Sequence, residues 1–139
     1  MNSLDMAELL SEAYNLADRI TDSDEAKRYI HLKRELGEDE EAQRLIRQFQ
    51  EKKERFEEAQ RFGHFHPDYH AAKEAAEDFS SRLREHPLIR EYLEVEEKLD
   101  RLLGEVSRTL ARSVSEEIKV PVDAQELDKV EGGRRKSCG

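Results

Sequence analysis

A chain of 139 residues, 41% charged and 36% hydrophobic, has room for one folded unit with narrow apolar faces and not for two units that each bury a thick core. The formal charge of -9 sits in residues 1–118, which carry 19 Lys or Arg against 29 Asp or Glu; residues 119–139 carry 5 against 4. A body this acidic repels phosphate, which argues against direct nucleic-acid binding, although residues 134–136, "RRK", form a short basic run.

No stretch approaches the roughly 18 apolar residues of a membrane span, and "MNSLDMAELL" lacks the basic region and apolar run of a secretion signal. A cytoplasmic protein is expected. Its single cysteine, Cys138, cannot form an internal disulfide, in keeping with a reducing compartment.

Every apolar pattern of useful length has helical period, so the fold class is all-α: an antiparallel bundle of about five helices with one long C-terminal helix. The first helix is predicted over residues 4–20, with Ser3 as N-cap and Met6, Leu9, Ala13, Leu16 and Ile20 on one stripe. Asp22 or Ser23 caps a second helix to about Leu36, with Ala26, Tyr29, Ile30 and Lys33 as its inner line and Gly37 as its stop. The acidic run "EDEE" opens a third helix from Glu38 to Phe62, striped by Ala42, Leu45, Ile46, Phe49, Phe56 and Ala59. Lys52 and Lys53 interrupt that stripe and must snorkel or meet acidic partners. Gly63 closes the helix.

A fourth helix, from about Pro67 to Glu85, places Tyr69, Ala72, Ala76, Phe79 and Leu83 at a three-four spacing. The fifth starts at Pro87, whose missing N–H is harmless in the first turn, and runs to about Lys119 before Pro121 ends it. Leu88, Tyr92, Val95, Leu99, Leu102, Leu103, Val106, Leu110, Val114 and Ile118 give it a stripe longer than one small bundle needs. Part of this helix therefore calls for another subunit, with Leu99, Val106 and Leu110 as partner-binding candidates. The expected organisation is a single helical domain over residues 1–120 and a flexible tail over 121–139.

Candidate chemistry centres on "RFGHFHPDYH", residues 61–70, which holds three of the five histidines. The spacing approaches the H-x-H-x-D-H pattern of zinc hydrolases, but with one residue too many, and between two helices where that pattern needs a preceding strand. A structural corner accounts for most of it: Gly63 ends one helix, Pro67 enters the next, Asp68 favours the next helix's dipole, and Phe62, Phe65 and Tyr69 pack the bend. The alternative is adventitious metal binding by His64, His66 and His70. No histidine has an acid three residues before it, as carboxylate-bridged metal bundles need, and no nucleophile or phosphate-loop motif is present.

Two segments carry a resemblance: "EDEEAQRLIRQFQEKKERFEEAQRFGHFHPDY", residues 38–69, and "EVSRTLARSVSEEIKVP", residues 105–121. The pairing of "QRFG" and "HPDY" with "VSEEIKVP" resembles the YlbF/YmcA family of small helical bacterial regulators, in its YlbF-like branch, with a looser likeness over residues 9–122. The resemblance implies a non-enzymatic regulatory or scaffold subunit. Its implied partners are YmcA-like and YaaT-like proteins, and through them ribonuclease Y, messenger RNA maturation, competence, sporulation and biofilm formation. It also implies a cysteine-rich C-terminus associated with [4Fe–4S] clusters, and here the chain departs. Such a cluster takes four thiolates and this chain offers only Cys138, as one ligand of a shared cluster or none. A stand-alone homodimer of the same family, without a ribonuclease link, is the alternative reading, and a metal-dependent enzyme using His64, His66 and His70 is a further, less favoured one.

Overall fold

The computed structural model describes residues 3–120 and contains five helices: α1 Ser3–Thr21, α2 Asp24–Glu38, α3 Glu40–Arg61, α4 Tyr69–Leu83 and α5 Pro87–Val114. No strand occurs among the described residues, as the helical periodicity requires. Contacts divide the chain into two units, Met1–Glu96 and Glu97–Gly139, with the boundary inside α5.

In the first unit, the core gathers Leu36, Ala42, Phe79, Leu83 and Ile89, with Leu45, Ile46, Phe49, Leu88 and Tyr92 packed around them. The most extensive helix pairing is α3 on α4, and the stripes expected for both helices are the ones that meet. Tyr69, Ala76, Phe79 and Leu83 of α4 are buried. Ala42 and Ala59 of α3 are buried, with Leu45, Ile46, Phe49 and Phe56 between them half-buried. The two lysines that interrupt the α3 stripe resolve as a snorkelling residue and an ion pair. The Lys52 ammonium lies 5.5 Å from the centre of the Phe79 ring, and Lys53 reaches the Glu57 carboxylate at 3.8 Å.

Helix α2 begins as expected, with the Ser23 hydroxyl accepting from the Ala26 N–H at 3.3 Å. Its inner line differs in part, since Ala26 is buried as expected. Leu32 is fully buried and Leu36 nearly so, whereas Ile30 is 49% exposed, Lys33 faces solvent and Tyr29 is half-buried. The stripe 26–30–33 ends in a lysine and Gly37, so the face carrying two leucines buries more apolar area and wins.

Gly37 does not stop the helix, contrary to the sequence expectation, because the helix end is satisfied without a left-handed residue. The Asp39 N–H donates to the Glu35 carbonyl at 3.1 Å, and the Gln43 side-chain amide donates to the Leu36 carbonyl at 2.8 Å. Two residues at the start of "EDEE" are thereby consumed before α3 begins: Glu38 ends α2, and the Asp39 carboxylate caps α3 by accepting from the Ala42 N–H at 2.8 Å.

Pro87 opens α5 at the first helical position, as expected. Near it the rings of Tyr29 and Tyr92 stack at 5.5 Å, and the Tyr92 hydroxyl donates to that of Tyr29 at 3.3 Å. Burial, then the Tyr29 hydroxyl and the Glu96 carboxylate, push the Tyr92 phenol above the ordinary tyrosine range, so it stays a donor at physiological pH. Arg28 and Glu91 pair across the same α2–α5 contact.

The far end of α5 comes sooner than expected, at Val114 rather than near Lys119. The Ser115 hydroxyl accepts from the Glu117 N–H at 3.2 Å, and the Ile118 N–H meets the Ser115 carbonyl at 3.4 Å. These local bonds offer the backbone a turn in place of another helical step. Pro121, once expected to end this helix, lies outside the described residues, as does the expected tail.

The burial contrast on α2 is testable by urea unfolding. Leu32→Ala is expected to lower stability by about 2–5 kcal/mol, and Ile30→Ala by about 1 kcal/mol or less. Equal losses would restore the face read from sequence.

Candidate partner-binding surfaces

The corner between α3 and α4 is built by two successive turns. Gly63 adopts φ 88, the only positive φ among the described residues, and so terminates α3 as expected. The His66 N–H then bonds the Gly63 carbonyl at 3.1 Å, and the Tyr69 N–H bonds the His66 carbonyl at 3.0 Å. Pro67 therefore sits inside a turn, where its fixed φ is useful, and α4 starts two residues later than expected, at Tyr69. Asp68 precedes the helix without a side-chain capping bond.

The aromatics of this corner separate into one anchor and two exposed rings. Tyr69 is 6% exposed, its ring 5.6 Å from Phe56 and edge-on to His64 at 4.7 Å. Phe62 is 68% exposed and stacks on His66 at 5.3 Å, while Phe65 is wholly exposed. The expectation that Phe62 and Phe65 pack the bend is corrected here: the turns project them outward and Tyr69 alone fills it. Beside them lies an open cleft of about 420 Å³, lined by Arg55, Glu58, Ala59, Phe62, His66, Asp68, Ala71 and Ala72.

The histidines are held by the corner rather than by one another. His66 Nδ1 accepts from the Asp68 N–H at 3.2 Å, and His64 and His70 both lie edge-on to the Tyr69 ring. Among the described residues, no three His, Cys, Asp or Glu side chains group as a metal ion would require. Cys138, the chain's one thiol and the expected cluster ligand, lies outside the described residues. A donor set of one thiolate does not fit a [4Fe–4S] cluster held by this chain alone.

The second unit presents the other candidate surface, the C-terminal half of α5. Leu99 and Val106 are half-buried, while Leu103, Leu110 and Val114 are 39%, 54% and 79% exposed, and Ile118 beyond the helix is 44% exposed. Among these, sequence reading singled out Leu99, Val106 and Leu110. The most exposed of the helical residues, Val114, was visible only as one more member of the stripe. The helix supports itself locally, with Arg101 donating to Glu97 at 2.8 Å one turn away.

Comparison with known proteins bears on what these surfaces serve. Residues 9–115 match the family model described as "Control of competence regulator ComK, YlbF/YmcA". The chain belongs to the YlbF/YmcA family. It is 35% identical over 137 residues to "Regulatory protein YlbF" of Bacillus subtilis (strain 168), covering 99% of this chain and 89% of that protein. A chain in the crystal structure of Bacillus subtilis RicA in complex with RicF is 37% identical, with a TM-score of 0.67, over 81% of this chain and 98% of its own length. Family membership and the likeness to YlbF over almost the whole chain make this a protein of a regulator family. No described helix is long and apolar enough to cross a membrane.

The two kinds of aromatic at the corner should behave differently. Tyr69→Ala is expected to cost about 3 kcal/mol in thermal or urea unfolding, and Phe65→Ala less than about 0.5 kcal/mol. A large loss on removing Phe65 would show that its ring is packed.

Proposed function

We propose that this protein is a YlbF-like regulatory scaffold that works by holding other protein chains through the exposed apolar stripe of α5. Its partners on this reading are YmcA-like and YaaT-like proteins. The assembly modulates ribonuclease Y-dependent maturation of messenger RNA, and through it competence, sporulation and biofilm formation. The observation that carries the reading is the 35% identity to Regulatory protein YlbF over almost the whole chain. Two others support it: the similar RicA–RicF chain is part of a complex, and Leu103, Leu110 and Val114 remain uncovered.

The acidic body fits this division of labour. It does not compete for the RNA, so action on the transcript has to pass through the nuclease. Cys138 would supply one ligand to a cluster completed by thiolates of the partner chains.

Anaerobic purification of the tagged protein from its own host, with co-purifying proteins identified and iron measured, tests the reading. YmcA-like and YaaT-like proteins are expected with the wild type. Leu110→Glu combined with Val114→Glu should abolish their recovery while leaving the circular dichroism spectrum unchanged, because both side chains are already solvent-exposed. Iron that disappears with Cys138→Ser would place a shared cluster at the tail. Recovery of the protein as a lone, iron-free dimer would overturn the complex and leave the stand-alone homodimer.

A further inference from the structure

Helix α1 carries more apolar surface than its packing uses. At 3.6 residues per turn, the side chains from Leu16 through Leu9, Met6 and Leu10 to Tyr14 fill an apolar arc of about 160°, interrupted only by Thr21 at the helix's last residue, whereas packing against one neighbour takes roughly 100°. In the first unit, α1 meets α2, and the half-buried members of the arc, Leu16 and Ile20, lie in the C-terminal half of α1. The remainder is open: Met6 is 47% exposed, Leu9 56%, Leu10 52% and Tyr14 72%.

The charges bordering the open N-terminal part of this arc are acidic. Asp5, Glu8 and Glu12 lie along one edge; nearer the C-terminal end Asp18 lies beyond the other edge, and Arg19 projects onto the Glu8–Glu12 edge about two turns below Glu12. Glu8, Glu12 and Asp18 form no ion pair among the described residues.

We infer that the open face of α1 is a docking surface for an amphipathic helix of a partner protein whose apolar stripe is flanked by Lys or Arg. The leucines and Met6 supply the seam, and the Tyr14 ring supplies an aromatic anchor at its margin. Bordering carboxylates select a basic partner through complementary charge and repel an acidic one. The same carboxylates disfavour two other occupants: the α1 face of a second copy would bring identical acidic edges together, and anionic lipid or nucleic acid would meet predominantly negative charge. This surface lies in the first unit, and the inference stands or falls independently of the α5 stripe.

The test uses the full-length protein and two fluorescent synthetic helices that share one leucine stripe, one flanked by Lys and Arg and the other by Glu. Binding is followed by fluorescence anisotropy at about 0.15 M salt, where unspecific attraction is screened beyond about 8 Å. The basic helix is expected to bind at least about tenfold more tightly than the acidic one. Glu8→Lys with Glu12→Lys should reverse that order, and Leu10→Asp should abolish binding with the helix content unchanged. Equal binding of the two helices, or no binding of either at about 100 μM, would overturn the inference. So would undiminished binding of the basic helix to Leu10→Asp, which would reduce the effect to attraction by the acidic body. Self-association of the protein that Leu10→Asp removes would also overturn it and make a second copy the occupant.

Discussion

Asp39 closes one helix and opens the next, and the packing of the first unit is organised around that junction. Its N–H ends α2 on the Glu35 carbonyl, and its carboxylate caps α3 through the Ala42 N–H. The same carboxylate faces His86 Nε2 at 3.9 Å, just ahead of α5, forming an ion pair when that histidine is protonated. Leu36 and Ala42, on either side of this residue, are both buried in the core with Phe79, Leu83 and Ile89. A one-residue connection leaves α2 and α3 little freedom, so the angle between these two helices depends on how the chain turns at Asp39.

Given that junction, the first unit completes its own core with modest means. Small residues, Ala26, Ala42, Ala59 and Ala76, are buried where helices approach, and the larger side chains interleave around Phe79. No polar or charged residue is buried among the described residues. The charge of the chain is therefore almost wholly a surface property, most of whose ion pairs are exposed pairs three or four residues apart that contribute little to stability. What remains unexplained by the needs of folding is apolar: the open arc of α1, Phe62 and Phe65 at the corner, and the distal stripe of α5. In a family of regulators, such surfaces are where function is to be sought.

Much of the fold was legible in the sequence because α3 and α4 each bury one clean stripe, and the residues at three-four spacing are the ones that meet. Helix α2 was harder because it has two apolar lines. Leu32 and Leu36 prevail over Ile30 and Lys33 only when neighbours on both sides are present. Gly37 misled for a related reason: the carbonyls it was expected to satisfy are met by Gln43 and by the Asp39 backbone, partners no local rule anticipates. At the corner, the glycine stop was readable from Gly63 alone, but the outward projection of Phe62 and Phe65 depends on two consecutive turns. Partner surfaces were only half visible. The excess length of the α5 stripe pointed to a missing partner, whereas the open face of α1 looked like ordinary core, since an amphipathic pattern records apolarity and not what covers it.

Hydrogen–deuterium exchange of the protein alone and mixed with a purified YmcA-like partner tests most directly the claim that the distal stripe of α5 is kept apolar for another chain. The account predicts marked slowing of exchange over residues 99–114 on mixing, with the amides of the α2, α3 and α4 core near Leu36, Ala42 and Phe79 already protected and little changed. Complex formation with no added protection over residues 99–114 would contradict it, and would move the partner to a different surface of the molecule.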